Sequence, residues 1–265
     1  MRPKRSALGV RRIVVKVGSA VLTQNDSVAQ ERMKALVEFL YELKKENEVI
    51  LVSSGSVSAG YTRLNLDRNI LSNKQALAAI GQPVLMHYYK NKFAKYNVII
   101  AQVLVTAANL NRADDIQRVK NTIDTLLENG VIPIINENDA TSTDELELGD
   151  NDQLSAYIAK YTDSDMLIIL SDIDAYYDKD PRENADASVL KIVNDIPAGE
   201  LEKIATPNNV FATGGIVTKL KAADYLLKSN KDMFLASGFD LSDVKSYMLD
   251  REHIGGTLFT CKGAE

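Results

Sequence analysis

An α/β fold, a three-layer αβα sandwich around a mostly parallel central sheet, is what this sequence predicts, and two observations predict it. Apolar runs rich in β-branched residues recur at 13–17, 49–52, 98–105, 131–135, 166–170 and 233–236. Their hydrophobicity is continuous rather than alternating, which suits strands buried on both faces. Between them lie stretches of helical period, and a strand–helix alternation places helices on both faces of one sheet.

In chain order, 13–17 (IVVKV) is the first strand. Residues 28–45 form a helix whose apolar positions Met33, Leu36, Val37, Leu40 and Leu43 share one stripe. The run 49–52 then leaves through a turn of small residues into another helix, and 98–105 returns as a strand. Over 113–129, Ile116, Val119, Ile123, Leu126 and Leu127 repeat the helical spacing before Gly130 ends it. Strands follow at 131–135 and 166–170, a helix opens near Asn151, and another follows Gly215 before the strand at 233–236. Residues 171–209 are the least regular part, and part of the segment reads as loop or short hairpin. Pro and Gly are scattered, without a linker or repeat, so 13–265 reads as one domain preceded by a basic, flexible tip at 1–12.

Of 265 residues, 45% are hydrophobic and 25% charged, enough for a large core and far from a disordered composition. The formal charge is −5. Arg2, Lys4, Arg5, Arg11 and Arg12 concentrate five bases at the start and leave 26 bases against 36 acids elsewhere. An acidic body argues against a nucleic-acid or anionic-membrane partner. There is no signal-like apolar segment at the start and no apolar run of about 18 residues, so a cytoplasmic location is expected. One cysteine, Cys261, and two separated histidines, His87 and His253, make neither a disulfide nor a zinc cluster.

Ligands of parallel α/β sheets bind beyond the carboxyl ends of the strands, and four loops there carry chemistry. In Lys16-Val17-Gly18-Ser19, a cation stands inside an apolar strand and needs either a partner or a route to solvent. In Ser53-Ser54-Gly55-Ser56-Val57-Ser58-Ala59-Gly60, amides and hydroxyls face a helix start. Neither a Walker A lysine nor a GxGxxG pattern is present, so the turn is an anion site or a plain tight turn. Residues 136–152 hold seven acids (Glu137, Asp139, Asp144, Glu145, Glu147, Asp150, Asp152) and no base. They call for a cation, which could be a substrate ammonium, a magnesium ion or a protein lysine, unless the loop is merely solvated. In Thr213-Gly214-Gly215-Ile216-Val217-Thr218-Lys219, exposed amides suit nucleotide phosphates, and Lys219 in the first helical turn opposes the helix dipole unless an anion lies nearby. Two lysines, amide-rich turns and an acidic patch suit phosphoryl transfer, which works mainly by positioning and charge neutralisation.

As an ordered set, the segments VVKVGSAVLT, VSSGSVSAG, SNKQALAAIGQ, VIPIINENDA, LGDNDQLSA, SDIDAYYDKDPR, TGGIVTKLKAAD and GGTLF resemble the glutamate 5-kinase family of the amino acid kinase superfamily, from Lys16 to about Phe259. The resemblance implies ATP-dependent phosphorylation of the γ-carboxylate of L-glutamate, the first step of proline biosynthesis, with Mg²⁺ accompanying the nucleotide. Lys16 and Lys219 would neutralise the phosphoryl group and Asp152 would orient them. Ser54, Asn136, Asp139, Asp150 and Asn151 would grip glutamate, Asp139 or Asp150 facing its ammonium. Lys16, Ser171 and Asp172, with Thr213, Gly214, Gly215, Ile216, Val217, Thr218 and Lys219, would bind ATP. The resemblance puts glutamate mainly on the N-terminal part and ATP mainly on the C-terminal part. It also implies a homo-oligomer, dimer or tetramer, proline as feedback inhibitor, and hand-over of product to glutamyl phosphate reductase.

Ser53 and Ser171 replace the family's usual threonines, and Ala175 stands where glycine is usual. With the chain ending soon after GGTLF, no C-terminal PUA domain is expected. The rival readings are a kinase of the same fold for another acceptor (acetylglutamate, aspartate, carbamate or UMP), a non-catalytic glutamate or proline sensor, and a nucleic-acid binder using residues 1–12.

Overall fold

The computed structural model describes residues 11–24, 27–141, 151–202 and 215–261. Eight strands form one sheet in the order β5-β6-β4-β1-β7-β9-β10-β8. These are β1 (Arg11–Val17), β4 (Asn47–Ser53), β5 (Ile100–Val105), β6 (Ile132–Glu137), β7 (Met166–Ser171), β8 (Ile192–Val193), β9 (Asp232–Ser237) and β10 (Thr257–Phe259). β2 (Thr23–Gln24) and β3 (Ser27–Val28) make a separate small hairpin. All pairings of the main sheet are parallel except β10 on β9. The predicted mostly parallel sheet is therefore observed, with every predicted apolar run overlapping a strand; Val98, Ile99 and Val131 fall just before theirs.

Helices cover both faces. Beside α2 (Gln30–Lys44) and α4 (Leu71–Ala94) lies one core, built on Met33, Leu36, Leu40, Tyr89 and Phe93 with Ile13, Val15 and Val17 of β1. Beside α6 (Ala113–Glu128), α7 (Asn151–Tyr161) and α9 (Ile216–Leu227) lies the other, with Ile123, Leu154, Ile158, Leu220 and Leu226 against Val14, Ile50 and Ile169. Side chains alternate across a strand, so Lys16 shares the face of Val14 and is turned toward α7 and α9. The remaining helices are short: α1 (Ser19–Leu22), α3 (Ser56–Tyr61), α5 (Ala107–Leu110), α8 (Ala198–Leu201) and α10 (Ser242–Lys245), the last continuing into a π-helical turn at Ser246–Asp250.

Two details differ from expectation. The run 98–105 is not buried on both faces: β5 is the sheet edge, Ile99 precedes it at 68% exposure, and Gln102 and Leu104 are exposed. An edge strand has a neighbour on one side only. The boundary of the basic tip also moves, because Arg11 and Arg12 already belong to β1. Arg12 is buried, its guanidinium on Glu48, Asp124 and the Thr162 carbonyl, which ties β1, β4, α6 and the end of α7 together. Residues 1–10 lie outside the described residues. In the irregular segment, an antiparallel bridge between Tyr177 and Val189 supplies the short hairpin.

One packing contact positions the site. α3 lies so close to α4 that a Cβ at Gly81 would stand 1.8 Å from the Ser56 carbonyl oxygen. Only glycine permits this approach, and it locks the turn after β4 onto the helix carrying Gln82.

Candidate active site

The carboxyl ends of β1, β4 and β6 and the starts of α7 and α9 meet around Asp152, which is 0% exposed. Lys16 Nζ lies 2.5 Å from Asp152 Oδ1, and Lys219 Nζ lies 3.1 Å from Oδ2. The two lysines are 3% and 4% exposed, so neither snorkels to solvent. Thr218 Oγ1 donates to Asp152 Oδ2 at 2.9 Å, and Lys219 Nζ also donates to the Gly215 carbonyl at 2.8 Å. Burial pushes the Asp152 carboxyl up, but the ammonium groups of Lys16 and Lys219 and the Thr218 hydroxyl outweigh it and hold the group well below the usual carboxylate range. The anion that makes Lys219 tolerable at the start of α9 is thus a protein carboxylate. Gly18, next to Lys16, lies alongside the end of β7, its N–H donating to the Leu170 carbonyl at 3.0 Å.

A second cluster is neutral. Asn151 Nδ2 donates to Ser54 Oγ at 2.8 Å and to Asn136 Oδ1 at 3.0 Å. Asn136, 2% exposed, donates through Nδ2 to Gln82 Oε1 at 2.9 Å and accepts the Glu137 N–H at 2.9 Å. Gly55 has φ +102°, a left-handed conformation that lets the chain turn sharply from β4 into α3. Behind the turn, Ser53 Oγ lies 2.9 Å from the hydroxyl of buried Tyr89, whose pKa is raised by burial. Asp139 accepts from Ser56 Oγ at 2.8 Å. Desolvation raises the Asp139 pKa despite that bond and the charge of Lys74. Asp139, Ser56, Gln82 and Gln102 line a cavity of about 160 Å³ beside this cluster.

Of the predicted residues, the structure joins Lys16, Asp152, Thr218 and Lys219 in one ion cluster and Ser54, Asn136 and Asn151 in one hydrogen-bonded cluster. Asn151 and Asp152 are adjacent at the start of α7 and hold the two clusters together. Asp139 faces the cavity. Ser171 ends β7, and its Oγ donates to Asp172 Oδ1 at 2.8 Å. Gly215, Ile216 and Val217 form the start of α9, with Val217 buried. Asp150, Thr213 and Gly214 lie outside the described residues. Thr218, expected at the nucleotide, here supports Asp152. Gln82, Gln102 and Tyr89 were not foreseen as site residues, and Ser56 was named only as part of the small-residue turn after β4. A signal for Gln82 existed, since Ala78 and Gln82 share a helix face one turn apart, both reaching the cavity.

This is the equipment of a phosphotransferase: buried ammonium groups, amide-bearing turns at strand ends and no nucleophilic side chain among the charged groups. The amino acid kinase family model matches residues 11–237. A glutamate 5-kinase of Wolinella succinogenes is 51% identical over 259 residues, covering 96% of this chain and 99% of that enzyme. One of Leishmania donovani is 48% identical over 250 residues, covering 94% and 95%. The structure of T. acidophilum isopentenyl phosphate kinase in a product complex shares the fold, with a TM-score of 0.64, 16% identity and coverage of 94% of this chain and 99% of that one. The chain belongs to the amino acid kinase family and, within it, to the glutamate 5-kinases.

Proposed function

We propose that this chain transfers the γ-phosphoryl group of ATP to the γ-carboxylate of L-glutamate, giving L-glutamyl 5-phosphate and ADP, the entry reaction of proline biosynthesis. The observation that carries the reading is the charge of the buried cluster. Among the described residues, two buried ammonium groups, Lys16 and Lys219, meet at one carboxylate, a concentration of positive charge shielded from water. Such a charge is costly unless an anion joins it, and a transferring phosphoryl group is such an anion.

A γ-carboxylate oxygen attacks the γ-phosphorus while the bond to the β,γ-bridging oxygen breaks and ADP leaves. The nucleophile is already ionised, so no general base is needed, in keeping with a centre built from charges and amides. Lys16 and Lys219 neutralise the equatorial oxygens in flight, and Asp152, assisted by Thr218, holds the lysines apart and in place. Ser54, Asn136 and Asn151 orient glutamate, and Asp139 takes its ammonium group, with Asp150 as the second candidate. ATP lies along Ser171, Asp172 and the 213–219 turn.

Mg²⁺ arrives on the nucleotide phosphates in this reading. Both oxygens of Asp152 are already committed, and no group of three or more metal-ligating side chains occurs among the described residues, so no residue is assigned as its ligand. Among the described residues no helix is long and apolar enough to cross a membrane; the cytoplasmic location is proposed on family grounds. One domain divided between glutamate and ATP, a homo-oligomer, proline feedback and hand-over to a glutamyl phosphate reductase complete the reading on family grounds.

An acceptor panel with ATP, read as hydroxamate, tests it. L-Glutamate is expected to give signal while aspartate, acetylglutamate, carbamate and UMP do not; silence with glutamate would defeat it. Lys219→Ala is expected to reduce turnover by about 10²–10³-fold, the scale of losing one electrostatic donor to a transition state, with glutamate binding retained.

A further inference from the structure

The amide cluster has only one self-consistent orientation, and a backbone group dictates it. The Glu137 N–H can only donate, so the side-chain atom of Asn136 facing it is Oδ1. Asn136 Nδ2 must then be the atom that meets Gln82, and Gln82 must offer Oε1 to it. Gln82 consequently turns Nε2 outward, where it meets Gln102 Oε1 at 3.4 Å at the cavity. In the other direction, the atom of Asn151 facing Asn136 Oδ1 must be Nδ2, whose second hydrogen goes to Ser54 Oγ. Ser54 Oγ therefore accepts inside the cluster, and its own hydrogen is available only to something outside it. The amides all donate in the same sense, an arrangement in which each bond strengthens the next.

We propose that Gln82 is a positioning residue for the acceptor substrate: by holding Asn136 and, through it, Asn151, it makes the Ser54 hydroxyl a donor toward the acceptor's carboxylate. Gln82 is only 8% exposed and sits on α4, locked against the Ser56 turn by the close approach at Gly81. Removing its Oε1 leaves the Asn136 Nδ2 buried without its acceptor, so the Asn136 side chain is held only through Oδ1, by the Glu137 N–H and Asn151, and its placement loosens. The proposal rests on the assignment of this cavity side to glutamate.

Steady-state kinetics with L-glutamate and ATP varied separately tests it. Gln82→Leu is expected to raise KM for glutamate at least tenfold, with KM for ATP and kcat within about threefold of wild type. Gln82→Glu, whose carboxylate still accepts from Asn136, is expected within about threefold of wild type in all three constants. In an Asn136→Ala background, Gln82→Leu is expected to change KM for glutamate less than twofold, because the relay it acts through is gone. Gln82→Met provides the same test at unbranched shape if the leucine variant does not fold. An active wild type with unchanged glutamate KM in a folded Gln82→Leu or Gln82→Met protein overturns this inference alone. So does equal damage to both KM values, or a full additional loss in the Asn136→Ala background. A wild type that makes no glutamyl hydroxamate overturns the functional reading, and this inference with it.

Discussion

Around Asp152, two ammonium groups and a hydroxyl converge on one carboxylate, whereas around Asn136 the side chains of Ser54, Asn151 and Gln82 are joined by neutral, directional hydrogen bonds. The clusters touch through consecutive residues of α7, yet they solve different problems. A phosphoryl group in flight carries dispersed negative charge, and Coulomb attraction in a dry site stabilises it without demanding one orientation. An amino-acid substrate must be held in one pose, and neutral donors and acceptors with fixed polarity do that at lower desolvation cost than charges. In the proposed reaction, phosphoryl stabilisation would fall to rigid strand and helix ends, and acceptor recognition to a turn braced by a second helix.

The largest effect is expected from Asp152→Asn, which would break the charged cluster while leaving the neutral one in shape. Two buried lysines would lose their counter-ion, a change of the kind that costs about 3–5 kcal/mol. Thermal unfolding should show a clear loss of stability and turnover should collapse, the fall exceeding that from any single change in the neutral cluster. In the wild type, the depressed Asp152 pKa contributes stability that is present above the unfolded value of about 4 and disappears only as pH falls through the lower folded value. Acid unfolding at lower pH than in the variant checks the sign.

Asp139 should behave in the opposite way, and this sharpens the contrast. Desolvation raises its pKa, so it takes up a proton above the ordinary carboxylate range as the medium is acidified. If it receives the glutamate ammonium, glutamate affinity falls over that window while ATP affinity does not. KM for glutamate measured against pH should rise on the acid side, and the rise should vanish in Asp139→Asn. Tyr89→Phe is expected to have the smallest effect. It removes one hydroxyl from Ser53 behind the turn, worth about 1 kcal/mol of stability. A large kinetic effect from that change would mean that the neutral cluster extends into the core as far as Tyr89.

Much of the charged cluster was legible in the chain. Lys16 inside an apolar strand, Lys219 at the wrong end of a helix dipole and seven acids without a base each signalled an unmet charge, and an unmet charge is visible in one dimension. Thr218 and Gln82 were not legible in the same way. Thr218 reads as one more phosphate-loop hydroxyl until Asp152 is seen within reach of it, and Gln82 reads as a helical glutamine in a small-residue stretch. Neutral groups advertise no imbalance, so their role depends on which partner comes within about 3 Å. The edge position of β5 was hidden for a related reason: the apolar run 98–105 looks the same whether a strand has one neighbour or two.

Local sequence was thus sufficient for the alternation of strands and helices, the loops that carry chemistry and the need for charge compensation at Lys16 and Lys219. These follow from hydrophobic period and charge, which are properties of neighbouring residues. Tertiary structure alone decided that Asp152 is the shared partner of both lysines, that Arg12 is a buried tie rather than part of a tip, and that the Asn136 amide, oriented by the Glu137 N–H, finds its acceptor in Gln82. Each of these depends on groups from 36 to 150 positions apart being brought within hydrogen-bonding distance, and no local pattern encodes the orientation in which they meet.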